Sequence, residues 1–73
     1  MNVTSSLMDG IVKQGPSFLR TKNGDRLFGE ALKSAKRGEV DWYTISEVVR
    51  TVRWRDPDLA DKLERRVDAA RSK

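Results

Sequence analysis

Apolar positions recur with a helical period over most of the chain. Leu59, Leu63, Val67 and Ala70 follow one another at steps of four, four and three, which places them in one narrow stripe on a helix. Asp56-Pro57-Asp58 stands before that stripe. It offers a capping carboxylate, a proline at the first helical position, where no amide bond is lost, and an acid at the positive helix end. The pattern predicts a helix over 57–72. Upstream, Ile45, Val48, Val49 and Val52 fall at i, i+3, i+4 and i+7, again a single buried face. Thr44-Ile45-Ser46-Glu47 fits a capping box, and a helix over 44–55 is expected. The valines favour a strand by propensity, but strict alternation is missing and the period decides.

A third helix is expected over 25–37, where Leu27, Phe28, Ala31, Leu32 and Ala35 share a face. Lys33, Lys36 and Arg37 collect in its last turn, and Gly38 is placed for the left-handed position that ends many helices. A rival reading stays open here. Asn23-Gly24 is a two-residue hairpin signal, and 18–22 with 25–28 would then be short strands. Residues 1–24 carry weaker periodicity: Gly10, Gly15 and Pro16 interrupt it, although 4–13 can form a short helical turn with Leu7, Ile11 and Val12 on one side. The expected architecture is therefore all-α, a small three-helix domain over 25–73 preceded by a flexible or loosely structured N-terminal arm over 1–24.

Composition narrows the chemistry. The 73 residues contain no cysteine and no histidine, so a disulfide framework, a thiolate site, the commonest zinc ligand and the commonest general base are all missing. Hydrophobic residues are 37% and charged residues 36%, the balance of a modest core under a charged surface. No apolar run approaches the roughly 18 residues needed to cross a bilayer. No basic leader precedes a long apolar stretch, so a cytoplasmic protein is expected. The net charge of +4 favours nucleic acid or an acidic protein surface as partner. It is uneven: the excess lies in 1–55, and the segment from Asp56 onward is neutral overall.

Catalysis is hard to build from these residues. Glu39 with Asp41, and Asp56 with Asp58, are close in sequence, but such pairs are loop and cap residues far more often than acid–base couples or metal ligands. No phosphate-cradling glycine loop or calcium loop occurs. No catalytic, cofactor-binding or metal-ligating residue is expected, and the chain reads as a binding protein, not an enzyme.

Two stretches suit binding. Arg50, Arg53 and Arg55 surround Trp54, an arginine–aromatic composition enriched at interface hot spots. The alternative for these residues is helix-end cations beside a partly buried tryptophan. Trp42-Tyr43, before the expected cap, reads more readily as a core plug than as a platform. In the arm, Leu7, Met8, Ile11, Val12, Phe18 and Leu19 are a large apolar content for a segment of weak period, with Lys13, Arg20 and Lys22 adding attraction to an acidic surface. Either they cover the core or they fold onto a partner. On the second reading, removing residues 1–14 leaves helicity intact and abolishes binding.

A helix-turn-helix arrangement of the last two helices is weakened by Asp56, Asp58 and Asp61. They put carboxylates where a recognition helix meets DNA. The arginines of the middle helix suit only sequence-independent backbone contact. A protein partner ranks first.

Taken together, the MNVTSSLMDGIVK start, the basic WYTISEVVRTVRWR segment and the DPDLADKLERRV helix resemble, in overall character, the small host-takeover proteins of bacteriophages. The likeness is to short helical inhibitors of host RNA polymerase of the Xanthomonas phage type. The resemblance implies a monomer in the host cytoplasm that binds the large polymerase subunits, blocks initiation and acts also on termination. It carries over no individual residue. The alternatives are a basic helical nucleic-acid-binding protein and an antitoxin or anti-defence inhibitor.

Overall fold

Four α-helices and a 3-10 turn follow one another in a computed structural model that describes residues 3–72. Helix α1 spans Val3–Gln14, the 3-10 turn Pro16–Arg20, α2 Lys22–Lys36, α3 Trp42–Arg53 and α4 Pro57–Arg71. The all-α class expected from the periodicity is the class observed, and no strand occurs among the described residues. Met1 and Asn2 of the expected arm, and Lys73 of the expected helical domain, lie outside the described residues.

The last helix starts as its sequence dictates. The Asp56 carboxylate accepts from the Leu59 amide at 3.2 Å, and Pro57 opens the helix. Leu59, Ala60, Leu63 and Val67 are buried on its inner face. Helix α3 begins two residues earlier than the capping box predicted. Asp41 is its N-cap residue and makes no side-chain cap bond. The Asp41 carbonyl accepts from the amides of Thr44, at 3.0 Å, and Ile45, at 3.4 Å. Glu47 turns instead to Arg50, at 3.5 Å, and to the Tyr43 hydroxyl, at 3.5 Å. The box failed because Trp42 is half-buried against the core, and that packing pulls its own turn into the helix.

Helix α2 also begins earlier than expected. The Thr21 hydroxyl accepts from the Gly24 amide at 3.0 Å and donates to the Phe18 carbonyl at 2.6 Å, so Asn23-Gly24 lies in a first helical turn and not in a hairpin. Glycine is needed at 24 for space. A side-chain carbon there would overlap the Phe18 carbonyl. At the other end Gly38 has φ of 81°, the left-handed value anticipated for it. The Gly38 amide bonds to the Ala35 carbonyl at 3.1 Å, and the Glu39 amide to the Ser34 carbonyl at 2.9 Å, which satisfies the last carbonyls of the helix.

Residues 3–20 depart from the expected loose arm. They form α1 and the 3-10 turn, and Leu7, Ile11, Phe18 and Leu19 join the same buried cluster as the cores of α2, α3 and α4. Packing therefore crosses the boundary drawn at residue 24. Gly10 does not break α1, because the Phe18 ring occupies the space where a side chain would stand. Helices α3 and α4 run antiparallel, since Arg71 at the end of one covers the Trp42 ring at the start of the other, 5.7 Å from its centroid. Helix α1 and the 3-10 turn lie on α2, and α2 meets both α3 and α4. No helix among the described residues is long and apolar enough to cross a membrane.

Candidate interaction surface

The residues singled out for binding separate into three groups once the chain is folded. Leu7 is 0% exposed, and Ile11 and Phe18 are also buried, while Met8 is half-buried against them. They belong to the core, the first of the two readings left open for the segment. The reason is the i, i+4 spacing of Leu7 and Ile11, which α1 presents to α2, and the 3-10 turn that folds Phe18 underneath.

A second group holds helices together. Arg20 binds Asp56 in a two-pronged contact, Nε to one oxygen at 3.0 Å and an Nη to the other at 3.1 Å. It fastens the 3-10 turn to the start of α4. Arg53 reaches Asp61 at 3.1 Å and Glu64 at 2.9 Å, and hydrogen bonding to Asp61 and then Glu64 raises its pKa above the ordinary arginine value. Arg50 leans on Glu47 of its own helix. Both arginines face the α3–α4 groove, which also carries Glu64, Asp68 and Arg71, so cation and carboxylate alternate there. The expected arginine patch is thus split, and Arg53 is engaged within the fold. The paired acids seen in the sequence are local too: Glu39 takes Arg37 at 3.1 Å, and Asp56 serves as cap and anchor.

The third group comes together. Val12 is 78% exposed and Trp54 is 86% exposed. They line one groove of about 560 Å³ with Lys13, Pro16 and Arg55. Val12 points away from the core because it follows Ile11 on α1, a 100° step that turns it to solvent. Trp54 stands just past the last residue of α3 with its backbone still helical, and two steps of about 100° from buried Val52 turn it to solvent. Lys13 pairs with Asp9 at 3.2 Å, but both side chains are more than half exposed, and such a pair holds the ammonium weakly. Arg55 stands exposed beside Trp54. Sequence reasoning found these four residues in two separate stretches. Pro16, which in the sequence marked only a break in the periodicity, and Thr51, which carries no signal of its own, also line the groove.

Two large apolar side chains rimmed by cations can bury themselves in a partner and draw an acidic rim toward it. Tyr43, 71% exposed, is the other large exposed aromatic, but it lies at the start of α3 and hydrogen-bonds Glu47. Among the described residues no group of three or more histidine, cysteine or carboxylate side chains is placed to hold a metal ion. No protein-family model matches the chain, and no curated protein or solved structure matches it either.

Proposed function

We propose that the chain is a small regulatory binding protein that docks onto another protein through the Val12–Trp54 groove. The observation that carries this reading is the exposure of those two side chains on one groove. Solvating a tryptophan and a valine in one place has a free-energy cost that a partner relieves, at about 25 cal/mol per Å² of apolar surface covered. Lys13 and Arg55 give the partner a sign: an apolar patch edged by carboxylates. The partner proposed is host RNA polymerase, through its large subunits, because the start, the basic middle segment and the last helix resemble phage inhibitors of that enzyme. The action proposed is inhibition of transcription, with no catalytic step by the chain itself.

The test uses the full chain immobilised against purified bacterial RNA polymerase, followed by run-off transcription. Binding by the unaltered chain and at least about tenfold loss in Trp54→Ala, the size expected of a buried aromatic anchor, support the proposal. Polymerase that fails to bind at micromolar concentration, or binding unaffected by both Trp54→Ala and Val12→Asp, overturns it. Far-UV circular dichroism of the variants checks the fold, and neither change touches a buried side chain.

A further inference from the structure

A second surface differs in kind from the docking groove. Between the 3-10 turn with the start of α2 on one side and α4 on the other lies a concave site of about 510 Å³. Its walls carry Arg20, Lys22, Lys62, Arg65 and Arg66. Asp25 is the acid among the lining residues, and it is tied to Arg66 at 2.7 Å. Asp56 at the edge is taken by Arg20. Lys22, Lys62 and Arg65 are exposed and stand on both walls, so three exposed cations line one channel.

We infer that this channel binds the phosphodiester backbone of duplex nucleic acid, without reading its sequence. An acidic protein is the lesser fit. The apolar residues of the lining, Leu19, Leu59 and Leu63, are 3–4% exposed, so a protein partner finds no exposed leucine or aromatic to anchor on, whereas phosphates need only cations. A single strand is also the lesser fit, because no aromatic side chain lines the channel to stack a base. The shape is concave, so it accepts the convex ridge of a backbone and does not insert into a groove between strands. Of the three acids at the start of α4, which in the sequence opposed DNA, Asp56 is offset within the fold by Arg20 and Asp61 by Arg53, while Asp58 stays exposed. The channel cations on α4 itself are Lys62, Arg65 and Arg66, which follow those acids along the helix. This inference is independent of the docking of a protein partner, since the two surfaces share no residue.

The experiment measures fluorescence anisotropy of a labelled 20-base-pair DNA duplex, with the full chain titrated at 50 to 200 mM salt. Three phosphate contacts give a slope of log affinity against log salt of about −2.7, which is about forty-fold weaker binding across that range. The variant Lys22→Gln/Lys62→Gln/Arg65→Gln is expected to lose more than about tenfold in affinity at 50 mM salt and nearly all of the slope. A variant of equal charge, Lys33→Gln/Lys36→Gln/Arg50→Gln, removes exposed cations outside the channel and is expected to keep most of the slope. No binding at 50 mM salt overturns the inference. So does equal loss in the two variants, which reduces the effect to net charge. Tighter binding of the single strand, or displacement of the duplex by an equal charge concentration of poly-glutamate, overturns the assignment to duplex backbone.

Discussion

Leu7→Ala is the sharpest probe of how the N-terminal segment belongs to the fold. Leu7 is 0% exposed and among the largest fully buried side chains of the core. Truncating a leucine at such a site costs about 3 kcal/mol, the lost transfer free energy plus the cavity left behind. A chain of this length has about 4–11 kcal/mol of stability in total, so the loss is a large share of it. The melting temperature falls by roughly 12–24 °C at the sensitivity typical of small domains. Urea unfolding followed by far-UV circular dichroism reads the change as a lower midpoint with an unchanged slope. Val12→Ala, five residues on and 78% exposed, is the control and shifts stability by about 0.5 kcal/mol or less. Equal midpoints for the two variants would refute the reasoning, because an arm that does not pack gives no penalty at either position. The same packing reverses the expectation for truncation: removing residues 1–14 takes Leu7 and Ile11 out of the core and unfolds the chain.

Gly24→Ala is expected to lower stability by about 3 kcal/mol, at the upper end for overpacking, since the obstacle is the Phe18 carbonyl and not a movable side chain; thermal unfolding checks it. The Glu39 carboxyl titrates below the ordinary glutamate value, through its hydrogen bond from Arg37 first and the guanidinium charge second. The stabilisation from that contact is complete above the ordinary glutamate range and is lost as pH falls through the lowered Glu39 value. A carbon-detected NMR titration should show that midpoint rising in Arg37→Gln. The two tryptophans should differ in solution, with Trp54 quenched by acrylamide more readily than half-buried Trp42. Trp42→Phe and Trp54→Phe separate the two signals, and equal quenching constants would contradict the exposure of Trp54.

How much of this was legible beforehand depends on where the controlling interaction lies. Helix α4 was readable because its cap, its proline and its stripe are all within its own sequence, and Asp56 does cap Leu59. The end of α2 was readable for the same reason, since Gly38 sets a local backbone angle. Helix α1 was obscured by Gly10, whose purpose is to admit the ring of Phe18 from the following turn, a contact absent from any local pattern. Asn23-Gly24 left a hairpin open beside the helix because the decisive partner, the Thr21 hydroxyl, serves a cap that the preceding turn must first position. At the candidate surface, composition pointed to Trp54 and Arg55 and to Val12 and Lys13. It did not show that Arg20 and Arg53 are spent on Asp56, Asp61 and Glu64, which lie on another helix or at its start. Nor did it show that Val12 and Trp54 share a groove, which follows only from how α1 meets the end of α3.

Phe18 stands between two glycines, and the two are constrained in different ways. At position 10 the obstacle is the phenyl ring, so tolerance there is conditional on the residue at 18. Alanine at 10 gains room once 18 carries a side chain without δ carbons, and the paired exchange Gly10→Ala/Phe18→Val should cost less than the sum of its parts. At position 24 the obstacle is the Phe18 carbonyl, which every amino acid possesses. No exchange at 18 relieves it. Positions 10 and 18 are therefore coupled through the ring, each limiting the size of the other, while 24 is held to glycine by backbone that no side-chain exchange at 18 removes.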